Sequence, residues 1–372
     1  MASSSARSNR ESSRVSDPAR RTKPDTPVSQ SGNESAQLNE IDALFQHAGL
    51  ARHPRGKAAG VVRRARFQER VPQEIHPRPV EPRRAANGVE WVSVPAFDAV
   101  SWLRYGFSTR RGGVTSCYAA EGALGELNLG MTADDPRENV LANRRLLAEA
   151  LTGSPDTTIV TLKQFHSSLL RLASAEPAGA PCRGDGIITA QAGILIGVQT
   201  ADCTPVLVAD RRRKVVAAFH AGWRGTVKRI VEEGIGRMRV EFGCRPEDLM
   251  AAVGPGIGAC CYPVGEEVLS EFESQFAYAG ELFHEVYSTD PVRIKYPMLF
   301  LTQCAPGHSP MAPGLHLDVA EANRRQLLAA GLRPKAISMV GGCTVCQREL
   351  FFSHRASKGR CGRMLSVIGI AG

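Results

Sequence analysis

His166, Cys203 and His220 are the residues from which chemistry is most readily built. Each follows a short apolar run rich in Val, Ile or Leu, so each is expected just beyond a strand. Two imidazoles and one thiolate suit a catalytic zinc ion, which takes three protein ligands and leaves a fourth position for water or substrate. The spacing by itself is a weak signal, because no H-x-x-x-H helix pair is present and a histidine is as readily a satisfied interior residue. Asp202, next to Cys203, has three open readings: orienting a ligand, acting as a general base, or capping a turn. Arg224, in the Gly222-Trp223-Arg224-Gly225 turn, could fork onto an anionic oxygen beside a helix start; the plain alternative is a surface arginine. A metal-free alternative makes Cys203 a nucleophile and His220 its base.

These residues need a frame. Residues 193–225 contain three apolar runs, Ile194–Gln199, Val206–Ala209 and Val215–Phe219, each a predicted strand. The charged segment 210–214 predicts a hairpin between the second and third. Antiparallel pairing there brings Cys203 and His220 to one end of a sheet. Upstream, strands are predicted over 100–108, leading into a Thr-Arg-Arg-Gly-Gly turn, and over 158–162, just before Lys163-Gln164-Phe165-His166. A helix is predicted from Pro136 to Gly153, and another from Val227 through Met238 to a stop at Gly243. Val264–Phe276 reads as a helix, and Asp318 with Glu321 as a capping box for one more. The last strands are 337–340 and 364–370. Irregular alternation with hairpins predicts an α/β (α+β) fold built on mixed sheets rather than a doubly wound parallel one.

The remaining cysteine motifs are read as structural. Cys343-Thr-Val-Cys346 is a C-x-x-C with no second such pair to complete a four-thiolate zinc site and with Cys361 as the only nearby third thiol; a redox or structural-zinc role stays open beside the preferred reading of a buried turn of small residues, and Cys260-Cys261 are read as packing residues. Gly254-Pro-Gly-Ile-Gly258 lacks the spacing of a dinucleotide fingerprint and reads as a tight turn.

The chain has 372 residues with 43% apolar content, enough for a sizeable core. Its net charge of +9 is unevenly placed. Residues 1–88 carry 16 Lys and Arg against 9 Asp and Glu, whereas the remainder carries 30 against 28. The basic character therefore belongs to a Ser-, Arg- and Pro-rich tail that cannot bury enough apolar surface to order itself, apart from a short helix around Asn39–Gly49. Residues 89–372 are expected to form one nearly neutral catalytic domain, which argues against nucleic acid as a partner. No secretory signal and no apolar run of about eighteen residues is present, so neither a membrane span nor a disulfide scaffold is expected. The ten cysteines are expected to be reduced thiols of a cytoplasmic protein.

Six blocks carry a family resemblance: KQFH, TADCTPVLVAD, AFHAGWRG, VGPGIGACCYPVGEEV, DVAEANRRQLL and CTVCQRELFFSHR with the following GRM. In this order, over roughly residues 90–372, they resemble the YfiH family, labelled laccase-domain or multicopper polyphenol oxidase and also described as purine nucleoside phosphorylases. The resemblance implies a single domain with mixed β-sheets packed centrally and helices outside, related in shape to cysteine-hydrolase-like toxin domains. It implies His166, Cys203 and His220 as ligands of Zn2+, with Cu2+ as the alternative ion. It implies phosphorolysis of adenosine, inosine and methylthioadenosine, with adenosine deamination beside it; the chain is expected to be a monomer or small homo-oligomer. Lys163 and Arg224 are then expected to hold phosphate, and Gln164, Asn128 and Arg110 to contact substrate, with Ser108 nearby. Ser167 stands where the family usually has glycine, which would narrow the pocket. The stretch 282–315, with Cys304 and His308, is longer than the family pattern and would suit a lid or an oligomer contact. A coupled-copper laccase is the rival reading, but such centres use many histidines in close pairs; this chain has nine, with no H-x-H, and His47, His53 and His76 lie in the tail.

Overall fold

The computed structural model describes residues 69–70, 75–119, 125–173, 182–286 and 314–372. The described strands begin with β1 (Glu69–Arg70), β2 (Arg83–Arg84) and β3 (Glu90–Val92); a short helix α1 (Pro95–Asp98) leads to β4 (Leu103–Ser108) and β5 (Arg111–Thr115). Helix α2 (Arg137–Thr152) precedes β6 (Thr158–Thr161), β7 (Leu170–Leu172), β8 (Gly186–Thr189), β9 (Ile194–Thr200), β10 (Thr204–Asp210) and β11 (Val215–Ala221). Then come α3 (Trp223–Val227), α4 (Ile230–Phe242), β12 (Leu249–Val253), α5 (Glu266–Gln275), β13 (Phe283–Val286) and β14 (Gly314–Leu317). Helix α6 (Val319–Ala329), β15 (Ile337–Met339) and β16 (Met364–Ile370) complete the set.

Two six-stranded mixed sheets carry the fold, in the orders β2-β3-β4-β16-β9-β6 and β15-β12-β10-β11-β8-β7; a third sheet, β1-β13-β14, is small. Alternation along the strands explains the layering. On β10, Leu207 and Ala209 join β4, β9 and β16 residues such as Phe107, Ile196 and Ile368 in a core between the two large sheets. The intervening Val206 and Val208 face the other way, onto Ile230, Ile235 and Met238 of α4 and Leu327 of α6. On the far side, Leu195 of β9 and Val367 of β16 pack with Leu147 of α2. The result is a helix–sheet–sheet–helix sandwich, as the mixed-sheet expectation requires. Each fully buried Ile, Leu or Phe in these layers contributes about 1.5–3 kcal/mol. Helix α4 lies so close that a Cβ on Gly234 would stand 2.3 Å from the Phe219 ring.

Several expectations shift for local reasons. The helix foreseen over Val227–Met238 is two helices, because Arg229 takes a left-handed conformation (φ 59) between α3 and α4. It still stops at Gly243, at φ 65. The Asp318 cap forms as expected, its Oδ1 accepting the Glu321 N–H at 2.9 Å. Thr-Arg-Arg-Gly-Gly is only partly a turn, since β5 starts at Arg111 and bridges Glu126. Packing starts upstream of Val89: β2 pairs with β3, Val80 is buried, and its backbone N–H and C=O are both bonded by the Gln347 side-chain amide. Proline and arginine around Val80 mask this in composition, because one valine and a few backbone bonds suffice to dock an extended segment. The helix expected around Asn39–Gly49 lies outside the described residues, as do Cys304 and His308. Among the described residues, no helix is long and apolar enough to cross a membrane.

Candidate active site

The site forms where the chain passes from one large sheet to the other. Strands β6 and β9 run parallel in the first sheet, with Thr161 beside Gly197, so they leave it at the same end. After β6 the chain crosses through Phe165 and His166 to β7 of the second sheet; after β9 it crosses through Asp202 and Cys203 to β10. Both crossings use a left-handed non-glycine residue, His166 at φ 62 and Asp202 at φ 93. Such backbone is uncommon outside glycine and is held here by surrounding bonds. The β10–β11 hairpin then pairs Pro205 with His220 in antiparallel register, so His220 returns to the same end. Gly222 is required there, because a Cβ would come within 2.7 Å of Cys203 Sγ.

The three side chains converge. Donor atoms of His166, Cys203 and His220 all lie within 4.8 Å of one another. Cys203 Sγ is 3.7 Å from His166 Nε2, and the two imidazole rings meet edge to face with centroids 5.0 Å apart. His220 is buried, Cys203 half-buried and His166 exposed, so the cluster is open on one side. Beneath it lies Asp185, fully buried at the start of β8, a residue the sequence analysis did not single out. Its carboxylate takes the His220 Nδ1 at 2.8 Å, which leaves Nε2 for the open side. It also accepts the backbone N–H groups of Phe165, His166 and Ser167, and the Ser167 hydroxyl at 2.6 Å. One carboxylate thus sets both histidines. Ser167 spends its hydroxyl on Asp185 rather than on the pocket. The available signal was an aspartate between glycines, Gly184-Asp185-Gly186, opening an apolar strand.

Charge follows from this geometry. Burial opposes ionisation of the Cys203 thiol, but the charge of His220 and hydrogen bonds from His166 and His220 outweigh it, holding the thiol down at about 6. His220 moves oppositely: against the pull of burial, the Cys203 thiolate and Asp185 hold its imidazole up at about 9. Burial would raise Asp185, yet its bonds from His220 and Ser167 keep it well below the usual carboxylate range. In metal-stripped protein, the rate of Cys203 alkylation by iodoacetamide is therefore expected to rise through pH about 6 and to level off before His220 loses its proton near pH 9. Peptide mass spectrometry reads it. A midpoint at the pH of an ordinary thiol would contradict the pairing, and adding zinc should protect the residue.

The other expected residues are placed as follows. Asp202 is nearly buried and both carboxylate oxygens are occupied, Oδ1 by the Thr344 hydroxyl at 2.6 Å and Oδ2 by the Arg355 N–H at 2.7 Å. Of its three readings, geometry supports the one that holds the turn. The Gln164 amide donates to Gln199 O at 2.8 Å and accepts from Gln199 N at 2.7 Å, clamping the ends of β6 and β9. Asn128 is fully buried and bonded to Gly130, Asp135 and Arg363. Arg110 pairs with Glu126 at 2.7 Å, donates to the carbonyls of Arg348 and Tyr118, and lies over the Phe352 ring. Polar groups with satisfied partners hold structure, as these contacts do for the buried Asn128 and the half-buried Gln164 and Arg110; Ser108, also buried, accepts from Leu365 N. Lys163 is exposed, with its backbone bridging Arg183. Arg224 is exposed on α3 with its guanidinium 4.4 Å from the Trp223 ring centroid. The sequence analysis also missed Tyr262 and Arg355. Burial and the nearby Cys203 push the Tyr262 phenol up to about 12, while Arg355 and Arg224 are close enough to pull against that rise. Arg355 stacks 5.2 Å over the same ring.

A buried carboxylate behind two histidines and a low-pKa cysteine, open on one side, define an enzyme centre able to hold a divalent ion. Kinship agrees. The model of a family described as multi-copper polyphenol oxidoreductase laccase matches residues 104–371, and the chain belongs to this family, the YfiH family of the sequence blocks. A protein of Deinococcus radiodurans named purine nucleoside phosphorylase is 37% identical over 266 residues, covering 72% of this chain and 88% of the relative. The crystal structure of YlmD from Geobacillus stearothermophilus superposes with a TM-score of 0.62 at 30% identity, covering 79% of this chain and 100% of that one. A protein of an unidentified prokaryotic organism, named adenosine deaminase RL5, is 31% identical and covers 70% of this chain and 92% of its own length.

Proposed function

We propose that the chain is a metal-dependent purine nucleoside phosphorylase, acting on adenosine, inosine and methylthioadenosine, with adenosine deamination as a second activity at the same site. The observation that carries this is the convergence of His166, Cys203 and His220 within 4.8 Å, in a chain similar to named phosphorylases and to a named deaminase. The donor set fits Zn2+, with Cu2+ as the alternative: two imidazoles and a thiol of lowered pKa, one imidazole fixed from behind by Asp185. Such an ion supplies Lewis acidity and an acidified water.

The protein's own groups then have separable tasks. Asp185 fixes the His220 tautomer and the His166 loop. Arg224, Arg355 and Lys163 provide the positive charge for phosphate, with Arg224 and Arg355 gathered around Tyr262. In phosphorolysis the bond from ribose C1′ to the purine nitrogen breaks, an oxygen of hydrogen phosphate bonds to C1′, and the proton that phosphate gives up passes to the departing base. The state between is oxocarbenium-like, so positioned phosphate charge stabilises it as it forms. Deamination replaces the amino group at purine C6 with a water-derived oxygen and releases ammonia. The reduced-thiol chemistry of Cys203 suits a cytoplasmic setting.

Purified protein incubated with each nucleoside, with and without phosphate, tests the reading. Phosphate-dependent release of free base and the matching sugar 1-phosphate is the expected result (ribose 1-phosphate from adenosine and inosine, 5-methylthioribose 1-phosphate from methylthioadenosine), with inosine formed from adenosine by the second activity. Neither product from any of the three nucleosides would overturn it. Oxygen-dependent diphenol oxidation, with several coppers bound per chain, would favour the laccase reading. Among the described residues, no further cluster of three or more potential ligands contains a histidine.

A further inference from the structure

The cysteines read from sequence as packing residues and as an isolated C-x-x-C form one cluster. The Sγ atoms of Cys260, Cys261, Cys343 and Cys346 all lie within 4.8 Å of one another. Cys346 is 3.4 Å from Cys261 and 3.6 Å from Cys260, sulfur to sulfur. These separations exceed a disulfide bond of about 2.05 Å. They match the edge of a tetrahedron around zinc, about 3.8 Å for Zn–S of about 2.3 Å. We infer that these four thiols bind a second, structural zinc ion, apart from the His166–Cys203–His220 site.

Local geometry makes the set possible. Adjacent cysteines on extended chain point oppositely, but Cys260 and Cys261 sit on a 3-10 turn, Ala259–Cys261, where successive side chains are only about 120° apart. Cys343 and Cys346 have the two-residue spacing of a zinc knuckle. The two backbones are joined by a parallel bridge between Gly256 and Cys343, and by Thr344 N donating to Gly256 O. Gly258 N–H points at Cys343 Sγ at 3.3 Å, an outer bond of the kind that steadies a thiolate ligand. His76 Nδ1 stands 3.4 Å from Cys346 Sγ. Cys260 and Cys343 are buried while Cys346 is exposed, so an ion has a way in. Four protein ligands close the coordination sphere, which marks the ion as structural; its binding displaces the thiol protons to solvent.

The site would matter to the enzyme centre through Asp202. Thr344, between the two knuckle cysteines, bonds the Asp202 carboxylate, and Ile257 N–H bonds its carbonyl at 2.7 Å. A bound ion therefore locks together the two loops that clasp the residue preceding Cys203.

The test is cobalt substitution of the full chain under reducing, anaerobic conditions. Tetrathiolate cobalt has strong visible d–d bands and thiolate charge transfer that a site with two imidazoles does not reproduce. The expected result is that signature in the wild type and in His166→Ala, and its loss in Cys346→Ser, with bound zinc falling by about one ion per chain in the last. Cys346 is the exposed member, so its serine variant is the one best placed to fold. Absence of the tetrathiolate signature in the wild type, or its persistence in Cys346→Ser, overturns the inference. So does a Cys261–Cys346 disulfide found by peptide mass spectrometry in anaerobically prepared protein. Because the readout is spectral, it stands or falls independently of nucleoside activity.

Discussion

Cys203→Ser is expected to lower kcat/KM for nucleoside phosphorolysis by about a thousandfold. The serine hydroxyl stays protonated near neutral pH and is a poor ligand, whereas the Cys203 thiol is held down at about 6 by His220 and His166 against the effect of burial. On the proposed metal-dependent reading, losing the ion would remove several kcal/mol of stabilisation, and about 4 kcal/mol corresponds to three decades in rate. The substitution is nearly isosteric and sits at a half-buried position, so the sandwich should fold. Steady-state kinetics beside metal analysis and circular dichroism check it. A folded Cys203→Ser protein that kept activity within tenfold of wild type would remove the thiol from the machinery.

The second large effect is expected at a residue that touches no substrate. Asp185→Asn should weaken metal affinity and kcat/KM by about 10–100-fold. The carboxylate takes His220 Nδ1, three backbone N–H groups and the Ser167 hydroxyl. An amide offers one acceptor oxygen and turns an NH2 towards the remaining donors, so both histidines lose their setting. Each donor left unpaired in this buried place costs about 1–3 kcal/mol, so the melting temperature should fall as well. Ser167→Ala separates the two causes: it removes the hydroxyl's bond to Asp185 and the one it accepts from Leu169 N–H but leaves His220 held, so it should lower stability without the matching loss of metal affinity. Competition with a coloured chelator measures that affinity. Equal loss in both variants would reduce Asp185 to a loop-holding role.

The frame around the ligands was largely legible in residue pattern. Strands β9 to β11 carry apolar runs long enough to read, and the charged turn at residues 210–214 marks their hairpin. That pairing is why Cys203 and His220 meet, and it could be foreseen. The arrival of His166 could be expected only from strand ends and from family resemblance, because it depends on β6 lying parallel to β9 in one sheet while both chains leave for the other. Periodicity reports whether a strand is buried, not which sheet it joins. Asp185 escaped for a related reason: a single aspartate has no pattern, and its five bonds come from parts of the chain that only folding brings together. Gln164, Asn128 and Arg110 show the converse. Their types suit substrate binding, but their donors are spent on Gln199, on Asp135 and on Glu126. The four clustered thiols were hidden by separation, since Cys260 and Cys346 are brought together by β12 and β15 running side by side.

The middle position of the first large sheet belongs to β16, which pairs with β4 on one side and β9 on the other. A ribosome delivers those two neighbours well before the strand that joins them. At roughly 5–20 residues per second, the stretch between β9 and β16 takes on the order of ten seconds or more to emerge. Throughout that interval the nascent chain carries two strands with open edges facing a gap, a form prone to pairing with other polypeptides. Successful production of this enzyme should thus depend on whatever shelters the growing chain until β16 has left the ribosome.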